Sequence, residues 1–451
     1  MTLIAPTRTL IVGGGGREHA LALKLAAEPG ANEVVCAPGS AAIGGEARVV
    51  VRPDIDPLDP EAVVRVARGA SVELVVIGPE APLAAGVADA LRDAGIPVFG
   101  PDAAAAQIES SKAFCREVAS AAGVRMARGA VFDDVTAAEA FARELATRPG
   151  ANGVVVKADG LAAGKGVIVA DDLDGAVGAI AALLGRATGR GGAARIVVEE
   201  RLEGREASII ALCDGRDAIA LPPARDHKRL FDGDRGPNTG GMGAYSPLPD
   251  LPDATAERLV DEIHRPILAE LRRRGMPFRG ALYAGLMLTP DGPVLLECNA
   301  RFGDPETQVL LPRLGLALGP LLLAAAHGDL SPARRALGIH GSVVPTRREA
   351  AVGIVVAASG YPDEPRTGDP ITGLAAAAAD GALVFHAGTH RTADGGWITA
   401  GGRLLTVVGL GADLAGARGV AEAAADHIAI PGARRRRDIG LGLPAVAGAP
   451  A

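Results

Sequence analysis

The chain has 451 residues, a formal net charge of −7 and 48% hydrophobic residues, ample for several cores at roughly 150 residues per domain. No stretch reaches the ~18 uninterrupted apolar residues of a membrane span, no basic then apolar leader opens the sequence, and the dispersed arginines form no sustained basic stripe. These features predict a soluble, cytoplasmic protein with neither membrane nor nucleic acid as partner. Cys36, Cys115, Cys213 and Cys298 lie far apart, without Cys-x-x-Cys spacing, and read as buried thiols.

In chain order, the apolar run Thr9–Val12 enters Gly13, Gly14, Gly15, Gly16 and Arg17, followed by a helical pattern. Backbone N–H groups at such a helix start can hold an anion, although a plain βα turn has the same signature. The dinucleotide fingerprint is incomplete, because its third glycine would fall on Glu18. Two more apolar runs end in Pro38-Gly39-Ser40 and Gly78-Pro79-Glu80, so residues 1–108 are expected to form an open α/β sheet with converging loops.

Lysine is the next clue. Of 46 basic residues only five are lysines, and four of these, Lys112, Lys157, Lys165 and Lys228, stand in Gly-rich or charged segments where a compact ammonium suits better than a planar fork. The stretch from Lys157 through Gly160, Gly164, Lys165 and Gly166 reads as strand, flexible loop, strand, and as a cover for phosphates. Glu199, Glu200, Leu202 and Glu206 follow at a strand end; they suit either solvent or a nucleotide whose adenine edge pairs with the backbone.

Further on, Asp226, His227 and Lys228 precede Gly236–Pro247, whose Gly, Asn and Pro content predicts a long ordered loop without regular structure. On the strand before Arg301, Glu297 and Asn299 share a face while Cys298 points into packing. Two hard oxygen ligands suit Mg²⁺; a Glu297–Arg301 ion pair is the competing reading. Residues from about 331 read as a separate α/β unit with little chemistry of its own, His386 and His390 as structural, Arg434–Arg437 as a solvated turn, and 441–451 as a disordered tail.

Phosphate lysines, a Gly-rich flap, acidic residues on a nucleotide-facing strand and a Glu-x-Asn pair together resemble the ATP-grasp superfamily. The segments GGGGREHAL, IGPEAPL, SKAF, VKADGLAAGKGV, DHKR, GPNTGGMGAYSP, ALYAGLM, ECNARFGDPETQ, VFHAGT and RRDIG follow the order of the phosphoribosylamine–glycine ligase family, also called glycinamide ribonucleotide synthetases, from about residue 8 to about 440. That resemblance implies an α/β and α+β multidomain chain: an N-terminal open α/β sheet domain (1–108), a central ATP-grasp fold (109–330) with a lid at about 124–195, and a small C-terminal α/β domain (331–440). It implies a monomer that joins glycine to 5-phosphoribosylamine with ATP and Mg²⁺ or Mn²⁺, through glycyl phosphate, in the second step of de novo purine synthesis.

By the same resemblance, Lys112 and Lys157 would hold phosphates under the flap Gly160–Gly166 with Lys165. Glu199, Glu200, Leu202 and Glu206 would line the adenine and ribose pocket, and Glu297 and Asn299 would bind the metal. Arg301 would stabilise the transferring phosphoryl group, with Asp226, His227, Lys228, Gly303 and Asp304 framing glycine and the amine. Gly14, Gly15, Gly16, Arg17, Pro38, Gly39 and Glu80 would take the phosphoribosyl group. Ser40 and Arg225 depart from the family's usual Asn and Gln. The rivals are another ATP-grasp carboxylate–amine ligase, a nicotinamide oxidoreductase disfavoured by the missing glycine, and a nucleotide sensor, which should have lost a phosphate lysine or metal ligand.

Overall fold

The computed structural model describes residues 5–161, 166–187 and 195–441. The first sheet is parallel, built from β1 (Arg8–Gly13), β2 (Glu33–Pro38), β3 (Val49–Val51), β4 (Leu74–Ile77) and β5 (Val98–Phe99) in the order β3-β2-β1-β4-β5. Its central strands are covered on both faces, so their middle positions are apolar in succession: Leu10, Ile11 and Val12 are all fully buried, with Leu10 and Val12 in one core and Ile11 in another. The loops after β1, β2 and β4 therefore open at one edge, as expected, and are tied together where Gly39 N–H donates to Gly13 O (3.1 Å) and Gly78 N–H to Val12 O (3.0 Å).

A second antiparallel sheet of β6 (Gly129–Phe132), β7 (Val154–Ala158), β8 (Val167–Ala170) and β9 (Ile196–Glu200), ordered β6-β9-β7-β8, has its own small core with the helices Val135–Ala146 and Leu173–Ala187. Strands β10 (Arg205–Asp214) and β11 (Ala218–Ala220) belong to a third sheet, and β12 (Arg225–Asp226), β13 (Arg229–Phe231), β14 (Arg235–Asn238) and β15 (Gly243–Ser246) follow. The third sheet is completed by β16 (Arg279–Thr289) and β17 (Gly292–Asn299) in the order β11-β10-β16-β17, leaving β17 at an edge facing the second sheet's β7 through the Lys157 ammonium, which donates to Leu296 O.

The C-terminal segment adds β18 (Ala350–Ala357), β19 (Pro370–Ile371), β20 (Leu383–His386), β21 (Thr389–Arg391), β22 (Trp397–Thr399) and β23 (Arg403–Gly411), with the helix Leu414–His427 packed on β18 and β23. This unit shares its main sheet with the central region. Its main sheet runs β12-β15-β18-β23-β20, so two strands come from the central region, and Gly243 pairs with Ile354.

Two sequence expectations fail here for the same reason. Gly236–Pro247 is not irregular, because β14 closes a hairpin with β13 and β15 finds its partner a hundred residues later in β18. Gly243, at φ +155°, lies where a Cβ would meet Gly353 O and Ile439, so its bare backbone permits the close pairing. Nor is Arg434–Arg437 simply solvated: Arg436 is 1% exposed and clamped between Asp234 and Asp438. No described helix is long and apolar enough to cross a membrane.

Candidate functional site

A cleft of about 890 Å³ opens where the second sheet (β6-β9-β7-β8), β17 and the segment around β12 meet. Lys157 reaches it from β7, Lys112 from the first turn of the helix Lys112–Ala121, and Lys228 from just after β12. Lys112 Nζ donates to Gly160 O at 2.9 Å, joining that helix to the first residues of the flap. Burial lowers its pKa, with Glu297 opposing the shift. Asp159 reinforces the junction by accepting from Ala113 N (3.2 Å) and Ser111 Oγ (3.0 Å). Gly166 and Leu161 line the cleft, while Gly164 and Lys165 lie outside the described residues.

Glu199, buried at the end of β9, stands 2.6 Å from both Lys157 Nζ and Arg116 Nη1. Its carboxylate is thus committed to positioning cations, while Glu200 and Leu202 remain on the cleft wall, Glu200 accepting from Arg128 N at 2.8 Å.

On β17, alternation places Glu297 and Asn299 on the cleft side and Cys298 in the core, 3% exposed. Lys228 Nζ is 3.4 Å from Glu297 Oε1 and 3.0 Å from Glu206 Oε2. Lys228, then burial working the other way and Lys157, set the Glu297 carboxyl, which is held down to about 2. Burial opposes charge on Lys228, but Glu206, Glu297 and Asp226 outweigh it and raise the ammonium pKa. The Asp226 carboxyl is raised as well, by burial despite Lys228, with Glu306, Glu206 and Glu297 adding to the rise. An ionised Glu297 beside the Asn299 amide is a hard-oxygen pair that fits a divalent cation. Among the described residues no group of three or more His, Cys, Asp or Glu is arranged to hold a metal by itself, so other ligands would come from a nucleotide.

The competing Glu297–Arg301 pair does not form. Arg301 instead lies 3.0 Å from Glu109 and 3.2 Å from Glu80, which overcome burial and raise its guanidinium pKa. Glu109, at the end of the helix Ala103–Ser110, is pushed up by burial and also accepts from Ala300 N (2.7 Å). A single acid before Ser110-Ser111-Lys112 offered no sequence signal for this role. Glu306, 3% exposed, accepts from Ser208 Oγ (3.1 Å), whose other neighbour is Tyr283 Oη (2.8 Å); it too was missed, though it lies inside the RFGDPET segment.

The N-terminal turn contributes less than expected. Arg17 and Glu80 reach the cleft, but Gly14, Gly15, Gly16, Pro38, Gly39 and Gly303 are absent from its wall. Gly15 N–H donates to Glu18 Oε2 at 2.7 Å and Arg17 Nε to Glu18 Oε1 at 2.5 Å, so the helix start is filled by its own third residue. Of the two departures, Ser40 Oγ accepts from Ile43 N (3.3 Å), and Arg225 donates to Tyr245 Oη and Asp250 Oδ2, each at 2.9 Å.

The C-terminal segment does carry chemistry. Arg403 and Tyr361 line the cleft, where Arg403 donates to Asp304 O (2.7 Å) and its guanidinium lies 3.4 Å from the Asp304 carboxylate, while Gly240 N–H donates to Tyr361 Oη (2.9 Å). His227 lines the cleft beside them. His386, as expected, is structural: its N–H donates to His19 Nδ1 at 3.0 Å, and its ring lies 4.6 Å from that of Trp397.

Family models named phosphoribosylglycinamide synthetase match in three consecutive pieces: the N domain at residues 7–109, the ATP-grasp (A) domain at 110–307 and the C domain at 351–442. The chain belongs to this family. It is 48% identical to the phosphoribosylamine–glycine ligase of Streptomyces coelicolor over 96% of this chain and 98% of that one. The corresponding figures for the Caulobacter vibrioides ligase are 46%, 96% and 97%. The crystal structure of the Thermotoga maritima phosphoribosylamine–glycine ligase superposes with a TM-score of 0.75 at 32% identity, covering 96% of this chain and 99% of that one. Phosphoribosylglycinamide synthetases of this kind are ligases with an ATP-grasp centre, and the cleft is walled mainly by the matched A domain, with Arg17 and Glu80 from the N domain and Tyr361 and Arg403 from the C domain.

Proposed function

We propose that the chain joins glycine to 5-phosphoribosylamine, driven by ATP, and yields glycinamide ribonucleotide, ADP and phosphate in the second step of purine synthesis. The observation that carries this reading is the meeting of Lys112, Lys157 and Lys228 with the Glu297–Asn299 pair in one cleft. A carboxylate is a poor electrophile, so the γ-phosphoryl group first passes to glycine. The amine then attacks glycyl phosphate and displaces phosphate. Phosphoryl transfer asks mainly for positioning and charge neutralisation.

Lys112 and Lys157 take the nucleotide phosphates, with Glu199 and Arg116 fixing the Lys157 ammonium in place. Glu200, Leu202 and Glu206 border the base and ribose. Glu297 and Asn299 hold Mg²⁺ or Mn²⁺, which when bound neutralises charge on the nucleotide phosphates. Arg301, braced by Glu80 and Glu109, faces the transferring group, and Asp226, His227, Lys228 and Asp304 frame glycine and the amine. The flap Gly160–Gly166 with Lys165 keeps water from the acyl phosphate. Arg17 and Glu80 receive the phosphoribosyl end, supported by Gly14–Gly16, Pro38 and Gly39 from behind, while Gly303 belongs with Asp304 in the frame of glycine and the amine. The domains run 1–108, 109–330 and 331–440, and the enzyme acts as a cytoplasmic monomer.

ADP release by the pure protein with Mg-ATP, omitting glycine or phosphoribosylamine in turn, tests the reading. Release that needs both substrates is expected. Release with neither, or none with both, would reopen the identity of the carboxylate and the amine.

A further inference from the structure

His227 is held more tightly than a substrate-framing side chain requires. Its N–H donates to Gly243 O (2.9 Å) and its carbonyl accepts from Met242 N (2.7 Å), so the backbone is locked between β12 and β15. The ring lies 6.0 Å from that of Tyr245, and Nδ1 is 3.4 Å from Asp234 Oδ1 at the tip of the β13–β14 hairpin. Nε2 is buried and has no hydrogen-bond partner among the described residues, on a side chain that lines the cleft.

Asp234 is fixed in turn. The buried Arg436 lies 2.6 Å from it, donates to Arg229 O (3.1 Å) and pairs with Asp438 at 2.6 Å, while Asp438 and Asp232 accept from Gly233 N (2.8 Å) and Arg437 N (2.7 Å). The hydrogen bond from His227 and the Arg436 guanidinium hold the Asp234 carboxyl well below its ordinary pKa, so it stays an acceptor. A carboxylate at Nδ1 keeps the imidazole proton there and leaves Nε2 with an unpaired lone pair on a ring that borders the cleft. A contact of 3.4 Å is long, but such bonds tighten when substrate closes the site.

We infer that His227 Nε2 is the base that accepts the amine proton in the second half-reaction, and that Asp234, clamped by Arg436, is its positioning residue. The inference rests on the ligase reading above. As the amine lone pair forms the C–N bond to the glycyl carbon, the C–O bond to phosphate breaks and phosphate leaves with its electron pair. One N–H proton passes to Nε2, and the imidazolium releases it to solvent with the products.

The test separates the two half-reactions with hydroxylamine, a nucleophile reactive enough to capture glycyl phosphate unaided. His227→Gln is expected to lower kcat with phosphoribosylamine roughly 10²- to 10⁴-fold, and to lower glycyl hydroxamate formation from ATP, glycine and hydroxylamine at least tenfold less than that. Asp234→Asn, at an exposed hairpin tip, should lower kcat about tenfold with the KM values unchanged, and Asp234→Glu should recover part of it. Should His227→Gln not fold, the Asp234 pair carries the test alone. Hydroxamate formation that falls in step with turnover, or parental kcat in Asp234→Asn, overturns the inference. A parent protein that makes neither ADP nor hydroxamate overturns the ligase reading along with it.

Discussion

The Gly13–Gly16 turn and the Gly236–Gly243 segment look alike as strings of glycine, yet one is closed and the other walls the cleft. In the turn, the space left by missing side chains is taken by Glu18, whose carboxylate meets Gly15 N–H and Arg17 and sits where a Cβ of Gly78 would be. In the second segment, bare backbone at Gly241 and Gly243 lets the chain close on Pro305 and on β18, and the polar groups of Thr239 and Gly240 border the cleft. Glycine reports close approach. What approaches, a neighbouring side chain or a ligand, is decided by residues far away in sequence.

If the division holds, changes in the cleft cost rate and changes around the turn cost stability. The largest effect is expected for Glu297→Gln, which should lower kcat roughly 10²- to 10³-fold and weaken Mn²⁺ binding followed by its paramagnetic signal, with thermal unfolding near the parent's. Parental turnover would discard the metal assignment and blur the comparison.

On the turn side, His386 packs against His19 of the glycine-turn helix, and burial, then His19, lower its pKa to about 4. The unfolded chain binds this proton more readily than the fold does, so the stability it confers is complete above about 6.5 and is lost as the pH falls toward 4. The loss should approach about 3 kcal/mol, and His386→Asn should flatten that part of the pH dependence in denaturant titrations.

Gly78→Ala forces a methyl into the Glu18 carboxylate and should destabilise by about 1–3 kcal/mol in urea, while the folded fraction keeps its kcat. A proportional loss of kcat would mean that the turn serves the substrate directly. The smallest effect is expected for Arg403→Leu. Its partly buried ion pair with Asp304 is worth about 1 kcal/mol, read as a severalfold rise in substrate KM with only a small change in unfolding temperature.

Lysine scarcity and strand alternation made much of the cleft legible: Lys112, Lys157, Lys228, Glu297 and Asn299 all reach it. The apolar runs likewise announced the parallel sheet, because strands buried on both faces must be apolar throughout. Residues whose role depends on a distant partner were not legible. Glu109 acquires meaning from Arg301, Arg403 from Asp304, and Arg436 from Asp234, pairs that lie 192, 99 and 202 positions apart. A run of four arginines carries no local mark of which one will be buried, and β15 carries no mark of a partner that lies beyond residue 350.

The sheet β12-β15-β18-β23-β20 also sets a timetable. A ribosome delivers the chain from its N-terminus, and the strands that seat His227 and the Gly236–Gly243 segment are released long before β18 and β23, on which they lean. The lysines and the Glu297 strand can be assembled on a nascent chain, but the wall opposite them waits for the last quarter of synthesis. An unfinished polypeptide therefore lacks the strands that back one wall of the cleft, and the site is completed only when the last quarter of the chain has been made.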